Sequence, residues 1–194
     1  INKNLIDEIH KEKNSKVKKF FSLSNKVSGE NYKSKINKIK KILKLNKADY
    51  LFISSPENVA WVLNIRGHDN PNSPIPNCRL IVSKNGKIYL IANIEKTFKL
   101  IKEKKLNKKQ VIDPEKFKDL IKNLKGNKFI IDPLSCSIFN ELIIKSKFKI
   151  IKEFDPCYNL KAIKNASEIK HMINAHVEDG LALTRFIFWI KNIK

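Results

Sequence analysis

Apolar positions along this chain fall at helical spacing in some stretches and in short continuous runs in others, and the two alternate. Tyr32, Ile36, Ile39, Ile42 and Leu43 recur at helical spacing with lysines between them, after Ser28-Gly29-Glu30-Asn31, which offers helix-start chemistry. Tyr50-Leu51-Phe52-Ile53 is a nearly unbroken apolar run, the pattern of a strand buried on both faces. Ser54-Ser55-Pro56-Glu57 then supplies an N-cap, a first-turn proline and an early acid, so a helix is predicted through Leu63, broken by Gly67. The proline-studded segment Asn70 to Pro76 reads as an extended loop. Arg79 to Val82 and Ile88 to Ile91 flank Lys84-Asn85-Gly86-Lys87, which predicts a hairpin with Asn-Gly in a two-residue type I′ turn.

Beyond the hairpin, helices are predicted at Ile94 to Lys104, Pro114 to Leu124 (stopped by Gly126) and Ser135 to Lys145. Short strands are predicted at Val111-Ile112, Phe129 to Ile131 and Phe148 to Ile151. Helices alternating with short strands around one hairpin predict an α/β fold with a mixed central β-sheet flanked by helices. Ile1 to Gly29 is irregular and reads as a linker, with a turn or two of helix at Asn4 to Ile9. Lys161 to Ile190 reads as one long amphipathic helix, its start signal lying in Asn165-Ala166-Ser167-Glu168. Its apolar face runs from Ile169 and Met172 to Phe186, Trp189 and Ile190, and is broadened by Phe188.

Composition changes this picture little. A 42% hydrophobic content in 194 residues suits one globular domain with an appendage. The net charge of +21 invites a nucleic-acid reading. Only Arg66, Arg79 and Arg185 are arginines, however, and the lysines are spread over every segment, which describes a solvated surface and no specific nucleic-acid face. Cys78, Cys136 and Cys157 are far apart and odd in number, so reduced thiols in a cytoplasmic protein are expected. No apolar run approaches the roughly 20 residues of a membrane span. The first residue is Ile, so the chain is expected to be a fragment or a processed form.

Few residues suggest chemistry. Arg66 is an arginine in a chain built with lysine, which hints that its planar fork is needed for a carboxylate or carbonyl. Either Arg66 and Asp69 serve a site together, or they pair with each other or cap local backbone. His176 and Asp179, three positions apart on a helix, could share a face, as a metal pair or as a structural one. Asp113, Asp132 and Asp155 each precede a proline just after a strand, where they read as turn and helix-start residues. There is no GxSxG, P-loop or HExxH motif.

Two passages carry a resemblance. Asn58 to Asp69, NVAWVLNIRGHD, resembles the IAWLLNIRGSD passage in the second domain of three-domain Xaa-Pro aminopeptidases, with His68 in place of the usual serine. Lys161 to Ile190 resembles the first helix of their catalytic pita-bread domain, KAIKN..E...M..AH..DG.AL.RF..W. Near the start, Leu5 to His10 is similar to the family's L.DEIW, with His10 where the pattern has Trp. The resemblance implies an interdomain linker at 1–29, a creatinase N-terminal-like second domain at 30–158, and the first helix of a truncated catalytic domain at 159–194.

It further implies a proline-specific metalloaminopeptidase that removes the residue before a penultimate proline. Two divalent metal ions, usually manganese, would sit on Asp, His and Glu residues of the catalytic domain beyond this chain. No residue here is then catalytic or a metal ligand, and the fragment alone is expected to bind no metal and to be inactive. Arg66, His68 and Asp69 would face substrate and help this part roof the active site and limit substrate size. His176, Asp179 and Gly180 would line an interdomain seam. The full-length protein would be a homodimer acting on Xaa-Pro peptides, away from membranes. The terminal helix, left uncovered, is expected to make the isolated chain self-associate. A basic nucleic-acid-binding or interaction module, and a related creatinase- or prolidase-type hydrolase, are the alternatives.

Overall fold

The computed structural model describes residues 17–193, so the expected helix at Asn4 to Ile9 and the variant His10 lie outside the described residues. Strand β1 (Phe21–Ser22) and the short helix α1 (Asn25–Ser28) lead into α2 (Tyr32–Leu45), β2 (Tyr50–Ile53), α3 (Pro56–Leu63) and β3 (Ile65–Arg66). The hairpin of β4 (Arg79–Ser83) and β5 (Ile88–Ile91) follows, then α4 (Ile94–Lys102), β6 (Val111–Ile112) and α5 (Phe117–Asn123). The chain finishes with β7 (Lys128–Ile131), α6 (Ile138–Lys145), β8 (Lys149–Lys152), α7 (Pro156–Ala162) and α8 (Ala166–Asn192).

Six strands form one mixed sheet in the order β6-β5-β4-β2-β7-β8. Only the hairpin strand β4 runs against its neighbours; β2 with β7, β7 with β8 and β5 with β6 are parallel. Side-chain alternation builds two cores from the same strands. Leu51 and Ile53 of β2, Leu80 and Val82 of β4 and Ile130 of β7 meet Ile39 and Leu43 of α2 and Val59, Val62 and Leu63 of α3. Tyr50 and Phe52, Ile81, Phe129 and Ile131 point the other way, onto Phe117 and Ile121 of α5 and Ile144 of α6. Phe129 stacks on Tyr50 at 5.0 Å and meets Phe148 edge-on at 5.2 Å. The continuous apolar runs in the sequence are therefore strands covered on both faces, and the expected mixed α/β architecture is the one observed.

Several local expectations change. The hairpin turn is not type I′: within it only Gly86 has positive φ (81°), and its N–H reaches the Ser83 carbonyl at 2.8 Å. A type I turn followed by a left-handed glycine gives this pattern, with Lys87 rejoining the ladder through the Ser83 N–H. Helix α3 does end at Leu63, but Asn64 turns the chain, at φ 52° and ψ 50°, three residues before Gly67. Asparagine tolerates this left-handed conformation better than most side chains. The long terminal helix is also two helices. Lys161 and Ala162 close α7, Ile163 is extended at φ −82° and ψ 106°, and α8 starts after Asn165.

The stretch read as a linker packs on the domain where it is described. Phe20 is fully buried, and Phe21 and Ser22 pair antiparallel with Arg66 and Ile65. Cys78, Cys136 and Cys157 are all free thiols. Of the Asp-Pro aspartates, Asp113 and Asp155 cap helix starts, while Asp132 holds a turn by accepting from the Leu134 N–H at 3.0 Å. Asp155, buried, accepts from the Cys157 N–H at 2.9 Å and from Asn58 Nδ2 at 2.7 Å. Asn58 in turn accepts from Lys161 Nζ at 2.6 Å, so α3 and α7 are tied by polar contacts.

Asp49, at the head of β2, holds the start of β7 and the hairpin turn. Its Oδ2 accepts from the N–H groups of Asn127 (2.7 Å) and Lys128 (3.0 Å), and its Oδ1 pairs with Lys84 Nζ at 2.7 Å. Burial pushes the Asp49 carboxyl up, yet the Lys84 ammonium and the two N–H groups together bring it down to about 2. Its folded value thus lies below the ordinary 3.8, so its stabilisation is present above pH 3.8 and is lost as pH falls toward about 2. Asp49→Asn should lower stability in urea titrations at pH 7 and match the wild type near pH 2; a constant gap would refute this. Phe129→Ala should cost about 3–5 kcal/mol, whereas Leu134→Ala, at an 82% exposed side chain, should stay within about 0.5 kcal/mol.

Candidate functional site

The loop after α3 carries the residues singled out from the sequence, and the structure separates them. Arg66 is half-buried, and its Nη1 donates to the carbonyls of Ile65 (2.8 Å) and Ala60 (3.3 Å), so it covers the end of α3. Burial lowers its pKa from the ordinary arginine value. Asp69 turns elsewhere: it pairs with Lys96 Nζ at 2.7 Å and accepts from the Asn77 N–H at 2.7 Å. His68 stacks on Phe21 with ring centroids 5.4 Å apart. Of the alternatives open for Arg66 and Asp69, the geometry matches backbone capping and not a mutual ion pair.

The more organised site lies at the root of α8, around a lysine that the sequence reading passed over. Lys35 on α2 is 1% exposed. Its ammonium donates to the Trp61 carbonyl (2.9 Å) and to Asn64 Oδ1 (2.8 Å), and lies 4.1 Å from the Trp61 ring centroid. Asn64 completes the cage by donating from Nδ2 to the Glu30 carbonyl (2.7 Å) and Ser28 Oγ (3.0 Å). Burial drives the Lys35 pKa down to about 8; Glu168 and Glu30 pull it up, while Arg66 and Lys38 push it further down.

Helix α8 joins this node directly. Asn165 Oδ1 accepts from the Glu168 N–H at 3.0 Å and Glu168 Oε2 accepts from the Asn165 N–H at 2.9 Å, a capping box. Glu168 Oε1 also receives Trp61 Nε1 at 3.4 Å, and Asn165 Nδ2 donates to the Ser28 carbonyl at 2.9 Å. Gly29, at φ 69°, permits that approach: a Cβ there would lie 2.1 Å from Asn165 Oδ1. Between α8 and the domain is a cleft of about 370 Å³, lined by Lys35, Trp61, Arg66, Glu168, His171 and Met172 among others.

Past its root α8 stands clear, with no buried residue. Met172, Phe186, Phe188 and Trp189 are 46%, 52%, 69% and 60% exposed. His176 Nδ1 lies 2.8 Å from the Met172 carbonyl oxygen, and a Cβ on Gly180 would meet nothing within 4 Å. Among the described residues no group of three or more His, Cys, Asp and Glu is placed to hold a metal ion. None of the helices in the described residues is long and apolar enough to cross a membrane.

Lys35, Asn64 and Glu168 were missed as a group. Lys35 did leave a signal, because it sits beside Ile36, three residues after Tyr32 and four before Ile39, on the buried stripe of α2. In a chain this rich in lysine the signal is easily passed over.

Residues 11–168 match the model of the creatinase/prolidase N-terminal domain. The chain belongs to that family. It is 31% identical to Xaa-Pro aminopeptidase ApepP of Drosophila melanogaster over 97% of this chain and 32% of the relative. It is 30% identical to Xaa-Pro aminopeptidase 1 of Dictyostelium discoideum over 88% of this chain and 27% of the relative. The chain thus spans about a third of the length of these curated relatives. Among solved structures, an X-prolyl aminopeptidase from Caenorhabditis elegans superposes with a TM-score of 0.82 at 22% identity, over 98% of this chain and 32% of that one. The prolidase of Pyrococcus horikoshii gives 0.58 at 21%, over 83% and 43%. These likenesses establish the fold, a creatinase N-terminal-like domain.

The lowered Lys35 pKa has a direct consequence. Between about 8 and the ordinary 10.5, the unfolded chain holds a proton at this site that the folded chain has released, so stability rises with pH there. Below about pH 8 both states are protonated and the contribution is flat. Wild type should therefore gain on Lys35→Met in denaturant titrations as pH rises from 8 toward 10.5. Parallel stability curves would show that Lys35 is not the titrating group.

Proposed function

We propose that this chain is a non-catalytic segment of an Xaa-Pro aminopeptidase, an enzyme that removes the residue preceding a penultimate proline. Residues 30–158 would form the second domain and 159–194 the opening of the catalytic domain, with 1–29 leading in from a first domain. The observation that carries this reading is the 31% identity to the Drosophila Xaa-Pro aminopeptidase over 97% of the chain, which takes in both sides of the α8 elbow. The exposed apolar length of α8 supports it, since Phe186, Phe188 and Trp189 suit burial against a further domain. In this reading the Arg66–Asp69 loop roofs the active site and limits peptide length, and His176, Asp179 and Gly180 face the catalytic domain.

The Caenorhabditis neighbour is described as a cytosolic enzyme with a di-nuclear active site, which supports two divalent metals, manganese by our reading, and a cytoplasmic setting for the full-length enzyme. The described residues offer no three-ligand cluster for such metals. No residue of this chain is assigned to them, and no catalytic step is derived through them.

The test has two arms. The purified chain with Mn²⁺ should bind no stoichiometric metal and release no N-terminal residue from Xaa-Pro peptides; measurable turnover would overturn the non-catalytic assignment. A chimera carrying residues 30–192 in the matching place of the Drosophila enzyme should cleave Xaa-Pro peptides and prefer short ones. Replacing both Arg66 and Asp69 with alanine there should shrink that preference by about tenfold in kcat/KM, equivalent to about 1.4 kcal/mol. An unchanged length profile would remove the roofing role.

A further inference from the structure

The cleft at the root of α8 has an imbalance of charge. Its lining holds three basic side chains, Lys35, Arg66 and Lys164, against a single carboxylate, Glu168. That carboxylate is already engaged, with Trp61 Nε1 on one oxygen and the Asn165 N–H on the other. Lys35 spends two of its donors on the Trp61 carbonyl and Asn64. Arg66 is the exception. Among the described residues it forms no ion pair, and both of its hydrogen bonds leave from Nη1. Its Nη2 and Nε donors thus remain for another acceptor.

A half-buried guanidinium normally has an anion or several acceptors to offset its desolvation. A lysine would deliver the same charge, but without a planar fork for two parallel hydrogen bonds. The lining also includes the apolar side chains of Trp61, Leu23, Val27, Met172 and Ala175. The cleft therefore combines basic and apolar side chains.

The geometry points to a carboxylate-binding site in which Arg66 grips the carboxylate and Trp61 and Met172 cover an attached apolar group. Lys35, in the same lining, adds electrostatic attraction. The carboxylate can come from a peptide C-terminus or from an Asp or Glu side chain of another polypeptide segment; the chemistry is shared. This assignment does not depend on the peptidase reading, because it is a property of the chain on its own.

Trp61 is the natural reporter, and Trp189→Phe leaves it as the single tryptophan. In that background, titrate N-acetyl-leucine, N-acetyl-leucine amide and the α-amide of N-acetyl-glutamic acid at fixed ionic strength, following Trp61 fluorescence. Saturable binding of an acid, with the amide at least about tenfold weaker, is expected, as a charged partner is replaced by a neutral one. Preference for N-acetyl-leucine would identify a peptide terminus as the source, and preference for the glutamate probe a side chain. Arg66→Met should reduce acid binding by about tenfold or more, and Arg66→Lys by less. Far-ultraviolet circular dichroism and melting curves check that the variants fold. If an Arg66 variant fails to fold, the acid-against-amide contrast in the parent protein decides alone. Equal binding of acid and amide, binding of neither acid, or full retention in a folded Arg66→Met protein would each overturn the site.

Discussion

One ammonium group, placed where water does not reach it, sets the terms for one end of this molecule. Lys35 lies on the inward stripe of α2, and its charge is bearable only because a carbonyl, an amide oxygen and an indole face converge on it. That convergence requires α3 to end where it does and Asn64 to adopt its left-handed turn. It requires the chain before α2 to present the Glu30 carbonyl and Ser28 to the other end of Asn64. Trp61 and Glu168 then carry the arrangement into α8. Remove the ammonium and the Asn64 side-chain oxygen loses its donor, while the Trp61 carbonyl keeps only the long 3.4 Å contact from the Asn64 N–H; an unmet buried acceptor costs more than the hydrogen bond itself contributes.

The architecture was legible because its strands are short apolar runs with nothing polar to confuse them. Tyr50 to Ile53 and Phe129 to Ile131 could hardly be anything but covered strands, and of the Asp-Pro pairs Asp113 and Asp155 start helices while Asp132 holds a turn. What was not legible is where a helix gives way when no proline or glycine announces it. Ile163 interrupts the terminal stretch by backbone conformation alone and was read through, whereas the end of α3 at Leu63 was expected but credited to Gly67 and not to the left-handed Asn64. The hairpin itself was legible, but its turn type was not. Asn-Gly is compatible with more than one tight turn, and the choice between them depends on register with Ser83 and Lys87, which the dipeptide does not encode.

The site was half visible. Arg66 stood out by its type, and among the described residues it has no acid partner; the partner imagined for it, Asp69, pairs with Lys96 instead. Lys35 stayed hidden, and Glu168 was read only as part of a helix start, because they lie far apart in sequence and are ordinary residue types for this chain. A composition dominated by one charged residue lowers the information carried by each copy of it. Only burial distinguishes the structural lysine from the many solvated ones, and burial of a polar residue is a tertiary property.

The contact between Gly29 and Asn165 spans 136 positions of sequence, yet it leaves no room for a methyl group. The bearing of α8 is therefore written twice, once in its own capping residues and once in a glycine laid down near the opposite end of the chain. During synthesis the domain can close its sheet before α8 emerges, but the socket into which α8 is set already exists by then, cut to the shape of a single amide side chain. Any lineage that lengthens residue 29 must find a smaller residue at 165 or accept a helix that leaves the domain in another direction.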